Sequence, residues 1–183
     1  MRLLKLPSAS SDIYQPAEDT FLLADMIVGR SGNYALDIGC GSGYLAKILE
    51  KSFDVVVGTD LSFRTLTNQS YKINNSVCCN ASDALLIPFD LIVCNMPYIP
   101  SDEILDITTD GGKDGIQVPL EIIKSAIPNI APDGSFLFLV SSLTKYSSLI
   151  DLVNSVNLNI QIIGKKKLFY ETLLVFEVTH SSA

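Results

Sequence analysis

A chain of 183 residues, 48% of them apolar, can bury a full core, yet it contains no run of the roughly 18 apolar residues that a membrane-spanning helix needs. Its net charge of −7 disfavours phosphate backbones as partners, since the one dense basic run, Lys165-Lys166-Lys167, sits beside an expected turn and reads as a solvated hairpin end. The start, Met1 to Ser11, carries only Arg2 and Lys5 as charges and a short Leu3-Leu4 pair, too little for a secretory signal, so a single soluble domain spanning 1–183 in the cytoplasm is expected.

A first helix is predicted from Pro16 to about Val28, with Glu18 and Asp19 at its positive end and Gly29 as its stop. Tyr34 to Ile38 reads as a strand that feeds the glycine-rich Gly39-Cys40-Gly41-Ser42-Gly43, and Tyr44 to Lys51 as the helix after it. Phe53 to Gly58 is a strand ending at Thr59-Asp60, and Ser62 caps a helix expected to reach about Asn74. Val77 to Cys79 is a short strand that should turn Cys78 and Cys79 to opposite faces. No two of Cys40, Cys78, Cys79 and Cys94 have C-x-x-C spacing, so no metal site is expected, only buried free thiols in a reducing compartment. Phe89 to Cys94 is a further strand, running straight into Asn95-Met96-Pro97-Tyr98. The Asp- and Gly-rich stretch from Ile99 to about Gln117 is long for a compact domain, which marks it as functional. Val118 to Ile127 (helix), Gly134 to Val140 (strand) and Lys145 to Val156 (helix) lead to Leu158 to Gly164 and Glu171 to Val178, a closing antiparallel hairpin. His180, three residues from the end, is expected to be disordered rather than catalytic. Strands alternating with helices predict an α/β fold of about seven strands, mostly parallel, with helices on both faces.

Three elements fall at carboxyl ends of strands, where open α/β sheets bind ligands. Gly39, Gly41 and Gly43 permit a sharp turn and close approach of a ligand to the main chain. Asp37 precedes that turn, which points to a ligand with an ammonium and a carboxylate rather than a pyrophosphate. Asp60, with Leu61 beside it, lies about 20 residues further on, where a carboxylate can accept both ribose hydroxyls. Asn80-Ala81-Ser82-Asp83 follows the third strand, where the Asp83 carboxylate could accept from an adenine amine, with Ser82 beside it in the cofactor site.

Together these residues resemble the class I methyltransferase family. The resemblance implies S-adenosyl-L-methionine as cofactor and a Rossmann-like sheet of order 3-2-1-4-5-7-6 with strand seven antiparallel. Asn95-Met96-Pro97-Tyr98 then lies where the transferred methyl should be, and it resembles the Asn-Pro-Pro-Tyr motif of methyltransferases acting on glutamine, adenine or cytosine nitrogens. An amide nitrogen is a poor nucleophile. The Asn95 oxygen and a main-chain carbonyl of the loop can accept its two N–H groups, Pro97 stiffens the loop and Tyr98 can cover the planar face. Met96 replaces the first proline of the motif but keeps a main-chain carbonyl.

Tyr14-Gln15-Pro16-Ala17-Glu18-Asp19-Thr20-Phe21-Leu22-Leu23 and Gly111-Gly112-Lys113-Asp114-Gly115 resemble two signatures of the HemK-type release-factor glutamine methyltransferases, in their short archaeal and eukaryotic form. This implies methylation of the glutamine of the Gly-Gly-Gln tripeptide in a class I peptide release factor. It also implies cofactor contacts from Tyr14, Glu18, Asp19, Thr20 and Asn95. With about 13 residues before Tyr14, the N-terminal domain of bacterial relatives is expected to be absent. Heterodimerisation with a small zinc-binding activator subunit, which covers an apolar surface, is expected instead. Adenine N6-methylation of DNA or RNA, protein-lysine methylation and a non-catalytic role are the alternatives.

Overall fold

The structure, a computed structural model, describes residues 13–181. The reading of Met1 to Ser11 lies outside them. Five α-helices, α1 (Glu18–Ile27), α2 (Tyr44–Leu49), α3 (Phe63–Thr67), α4 (Gln117–Ala126) and α5 (Ser147–Ser155), alternate with β1 (Gly32–Ile38), β2 (Phe53–Asp60), β3 (Asn75–Cys78), β4 (Phe89–Asn95), β5 (Ile99–Pro100), β6 (Asp110–Gly112), β7 (Ile130–Ser141), β8 (Leu158–Lys167) and β9 (Thr172–His180). The main sheet runs β3-β2-β1-β4-β7-β9-β8, and only β9 is antiparallel to its neighbours β7 and β8. Counted along the sheet's own strands this is the expected order 3-2-1-4-5-7-6.

Strand periodicity places the core on both faces. In β7, Phe136, Phe138 and Val140 pack towards Ile122 and Ile123 of α4 and Val153 of α5, while Leu137 and Leu139 face the opposite layer with Leu23 and Ile27 of α1 and Leu45 and Leu49 of α2. The central strands are buried on both sides, which is why they read as continuous apolar runs. The same alternation decides the site. Leu91 and Val93 face the α1–α2 layer and Ile92, Cys94 and Met96 the α4–α5 layer, so Asn95 emerges on the α1 side.

Four expectations need correction. The helix after Ser62 ends at Thr67, not near Asn74. Asn68 donates its Nδ2 to the Arg64 carbonyl (2.8 Å) and caps the helix. Gln69 is then buried, reaching the Cys40 Sγ (3.2 Å) and the Gly41 carbonyl (3.3 Å), and Tyr71 N–H donates to the Ser42 carbonyl (2.9 Å). The segment leaves the helix because it braces the glycine-rich turn. His180 is the last residue of β9, opposite Leu158, with Nε2 3.3 Å from the Ile130 carbonyl oxygen. The four cysteines are free thiols, but only Cys40 and Cys94 are buried; Cys78 is exposed on the sheet-edge strand β3. The stretch from Ile99 to Gln117 is not structureless: β5 and β6 pair in parallel within it and a single 3₁₀ turn precedes α4.

Candidate active site

A cavity of about 300 Å³ opens along the carboxyl ends of β1, β2 and β4. The glycine-rich turn forms its floor. A Cβ added at Gly39 would meet nothing within 4 Å, and one at Gly41 would meet only the Gly39 carbonyl at 3.8 Å, so the turn faces open space. Gly43 has a different duty. At φ +82° it caps α2, and a Cβ there would lie 2.1 Å from the Tyr71 carbonyl.

Two carboxylates stand over this turn. Asp37 is fully buried on the α2 side, and its Oδ2 accepts the Ala46 N–H (3.0 Å) at the start of α2. Burial pushes its pKa up to about 7, opposed by that hydrogen bond and aided by the charge of Asp60. Asp60 accepts Gly41 N–H on Oδ2 (3.1 Å) and Ser62 N–H on Oδ1 (2.8 Å), leaving further lone pairs towards the cavity. Its pKa is also raised by burial, against those two bonds. Cys40, between them, is held as a neutral thiol by burial and by both carboxylates.

At the other end the chain assembles a connected polar cluster. Asp19, buried at the start of α1, accepts the Tyr14 hydroxyl on Oδ2 (2.7 Å) and both the Thr20 N–H (2.6 Å) and the Thr20 hydroxyl (3.2 Å) on Oδ1. Asn95 Nδ2 donates to Thr20 Oγ1 (3.3 Å). The Asn95 Oδ1 is buried and has no partner among the described residues. Met96, Pro97 and Tyr98 follow on the cavity wall. Burial, then the charges of Asp19 and Glu171, push the Tyr98 hydroxyl well above the usual phenol range. Burial and the Asp19 hydrogen bond do the same for Tyr14.

The Gly111 to Gly115 stretch backs this loop rather than lining the cavity. A Cβ at Gly115 (φ +69°) would lie 2.4 Å from the Tyr98 carbonyl, and one at Gly111 would lie 2.9 Å from the Pro97 carbonyl. Thr144 Oγ1, also near Gly115, donates to the Tyr98 carbonyl (3.1 Å). Met96 is 2% exposed and packs in the α4–α5 core, and its N–H donates to the Leu139 carbonyl (3.4 Å), prolonging the β4–β7 ladder by one residue. A proline could not make that bond.

Of the expected site residues, Tyr14, Asp19, Thr20, Asp37, Gly39, Gly41, Asp60, Leu61, Asn95, Met96, Pro97 and Tyr98 line one cavity. Glu18, Gly43, Ser82 and Asp83 do not. Glu18 is on the outer side of α1 and ion-pairs with Lys166. Ser82 is turned into the protein, its hydroxyl donating to the Ser125 carbonyl (2.8 Å), and Asp83 accepts from the Ser125 hydroxyl (2.6 Å) and Asn80 Nδ2 (3.1 Å). Their neighbours Asn80 and Ala81 form the wall instead, Ala81 in the left-handed region at φ +44°. Tyr44, Thr65, Thr109, Val118 and Ile122 also line the cavity without having been expected to. Of the lining residues outside the expected set, Tyr44, which ends the glycine-rich element, and Ile99, Ile107, Thr108 and Thr109, in the long Asp- and Gly-rich stretch, carried a signal in the sequence.

Comparison with known proteins decides the lineage. The chain is 30% identical over 178 residues to a Methanocaldococcus jannaschii protein named as a protein N5-glutamine methyltransferase, covering 90% of each. It belongs to the HemK-type protein-glutamine methyltransferases. The family described as "Methyltransferase domain" matches residues 36–98, the span from the strand before the glycine turn to Tyr98. Within the HemK group, the eRF1 methyltransferase catalytic subunit mtq2 of Schizosaccharomyces pombe is 24% identical over 206 residues, with 91% of this chain and 89% of that one covered. The solved E. cuniculi Mtq2–Trm112 complex, described as responsible for methylation of the eRF1 translation termination factor, superposes with a TM-score of 0.79 at 25% identity, over 92% of this chain and 99% of that one. The chain is thus a methyltransferase with the class I fold, and its glycine turn and its Asn95–Tyr98 loop face one crevice.

Proposed function

We propose that this HemK-type enzyme transfers a methyl group from S-adenosyl-L-methionine to the side-chain amide nitrogen of the glutamine in the Gly-Gly-Gln tripeptide of a class I translation termination factor. The observation that carries the reading is the buried, unpartnered Asn95 Oδ1 at one end of a cavity whose other end holds Asp37, Asp60 and the open glycine turn. A buried acceptor without a donor is costly, and an incoming amide N–H supplies one.

The residues present fit the donor. The space over Gly39 and Gly41 admits its backbone-like methionine part, Asp37 suits the ammonium and Asp60 suits the ribose hydroxyls. Asn80 and Ala81, rather than Ser82 and Asp83, wall the adenine end, while Asp19 and Thr20 of α1, with Tyr14 just before it, stand beside Asn95. When bound, the donor supplies an electrophilic sulfonium methyl. The chain's part is positioning: Asn95 Oδ1 and the Met96 carbonyl accept hydrogen bonds from the two amide N–H groups, Tyr98 covers the amide plane, and the apolar wall of Val118 and Ile122 excludes water. The glutamine nitrogen takes the methyl and gives up one N–H proton to water, the donor leaving as its neutral thioether; no prior deprotonation is needed, which fits a cavity lined by no histidine among the described residues.

The partner belongs to the same reading. Leu61, Phe63, Leu86 and Ile87 are exposed and lie on the segments that flank the edge strand β3, a surface suited to the small zinc-binding activator. Free cysteines suit a reducing, cytoplasmic setting. Radiolabelled methyl transfer into a Gly-Gly-Gln domain, with and without co-expressed activator, is the test. Label that enters the domain but not its Gln→Ala version supports the proposal, whereas equal labelling of both, or labelling only of an oligonucleotide, defeats it.

A further inference from the structure

We infer that Asp19 and Thr20 are positioning residues that set the polarity of Asn95: a hydrogen-bond chain ending on a carboxylate forces the asparagine to present its oxygen, not its NH₂, to the cavity. The inference rests on the proposed amide acceptor only for its catalytic consequence; the orientation itself is a property of the free protein.

The two ends of an asparagine amide have nearly the same shape, so packing alone does not choose between them. For a substrate amide the difference is decisive, because an inward NH₂ would set donor against donor. What chooses is the direction of the chain of protons. The Asp19 carboxylate receives three donors, the Tyr14 hydroxyl, the Thr20 N–H and the Thr20 hydroxyl. The single Thr20 hydroxyl proton is thereby committed to Asp19 Oδ1. Thr20 Oγ1 is left able only to accept, and the group it accepts from is Asn95 Nδ2 at 3.3 Å. With the amide turned over, Asn95 Oδ1 would face an oxygen that has no proton to give, and the NH₂ would be the group in the cavity. Asn95 Oδ1 is instead the buried, unpartnered atom. The fold makes the arrangement possible because Asn95 leaves β4 on the α1 face, and Asp19 and Thr20 are buried in the first turn of α1. Glu18, one residue earlier, is on the outer side with Lys166 and has no part in it.

Three substitutions test this: Thr20→Val, which keeps the shape and removes the hydroxyl; Thr20→Ser, which keeps the hydroxyl; and Asp19→Ala, which removes the acceptor and frees the Thr20 hydroxyl proton to donate to Asn95. The first readout is the Asn95 side-chain NH₂ resonance of the ¹⁵N-labelled protein without substrate, assigned by its absence in Asn95→Ala. In the unsubstituted protein and in Thr20→Ser it is protected from solvent exchange; in Thr20→Val and Asp19→Ala it shifts and exchanges freely. The second is steady-state transfer at saturating donor: Thr20→Val lowers kcat roughly 10- to 100-fold and Thr20→Ser stays near the unsubstituted value. A Thr20→Val protein with an unchanged amide resonance, or with unchanged kcat, overturns the inference. So does a Thr20→Ser protein as impaired as Thr20→Val, or a loss confined to donor affinity measured by calorimetry. Failure of the unsubstituted enzyme to label Gly-Gly-Gln would sink the proposed substrate and leave the resonance result to decide the orientation.

Discussion

At the scale of single residues, the chemistry divides between Asn95 at the acceptor end and Asp37 at the donor end. Replacing Asn95 by alanine removes the buried acceptor, and kcat/KM for the glutamine substrate is expected to fall on the order of 10²- to 10³-fold, the usual cost of losing one preorganised hydrogen-bond partner. Steady-state kinetics against a Gly-Gly-Gln domain measures it. Asp37 makes a prediction in pH. Its pKa in the folded protein, about 7, lies above its ordinary 3.8, so between those values the folded state holds the proton more tightly than the unfolded chain. Its contribution to stability is therefore fully present below pH 3.8 and is lost as pH rises through about 7. Donor binding runs the other way. An ammonium beside Asp37 favours the ionised carboxylate, so donor affinity is expected to drop as pH falls below about 7, approaching tenfold per pH unit. Calorimetric titration between pH 5.5 and pH 8.5 should show this slope, with Asp37→Asn flattening it and any residual slope belonging to Asp60, whose pKa is raised in the same direction. A slope unchanged in Asp37→Asn would remove Asp37 from the donor site. In the sequence, Asp37 and Asn95 were both legible because each abuts a motif on a strand. Glu18 and Asp19 could not be told apart, since both suit a helix start and only the three-dimensional rotation of α1 sends one inward.

At the scale of elements, the acceptor loop is held at both of its ends. The Gly115 main chain and the Thr144 hydroxyl meet the Tyr98 carbonyl, and the Met96 N–H reaches Leu139. Gly115→Ala meets both a left-handed φ and a contact of 2.4 Å, so the loop must shift. A loss of about 1–3 kcal/mol in thermal or urea unfolding is expected, with kcat reduced more than donor affinity. Met96→Pro tests the departure from the familiar motif. It forfeits a buried side chain and a ladder hydrogen bond, and stability should fall by about 2 kcal/mol, while transfer persists because the carbonyl at that position survives. A Met96→Pro protein that is folded but transfers no methyl would show that the methionine itself, and not only the carbonyl at that position, is needed. The strands and the glycine turn were readable from periodicity and punctuation. The truncation of α3 was not, because Gln69 and Tyr71 leave the helix to bond Gly41 and Ser42, partners that are distant in sequence. His180 joined β9 for a similar reason: pairing with Leu158 outweighed its nearness to the chain end.

At the scale of the whole molecule, the sheet gathers the donor end on β1 and β2 and the acceptor end on β4, and it leaves β3 as an open edge. The acceptor half is braced by α1, β7 and the Gly111 to Gly115 stretch, whereas the donor half is walled on its outer side by short and exposed pieces. The helix α3 has no buried residue, β3 is four residues long, and Leu61 both lines the cavity and is 59% exposed. Phe63 at 70% and Leu86 at 95% exposure lie on the segments that precede and follow β3 in the chain. A partner that covers Phe63 and Leu86 would therefore also press on the segment carrying Asp60 and Leu61, and its binding would be coupled to the donor's through that wall. The expected outcome is reciprocal: the activator tightens donor binding, and the donor tightens the activator by the same factor. Replacing Phe63 and Leu86 by serine touches no cavity-lining residue, so the isolated chain should fold with unchanged donor affinity. It should fail to co-purify with the activator and should lose the increase in donor affinity that the complex provides. Calorimetry of the donor against the chain alone, the complex and the doubly substituted chain reads all three. If the doubly substituted chain still formed the complex, the β3 edge would not be the activator's seat; if the complex bound donor no more tightly than the chain alone, the exposed wall would not be the point of coupling.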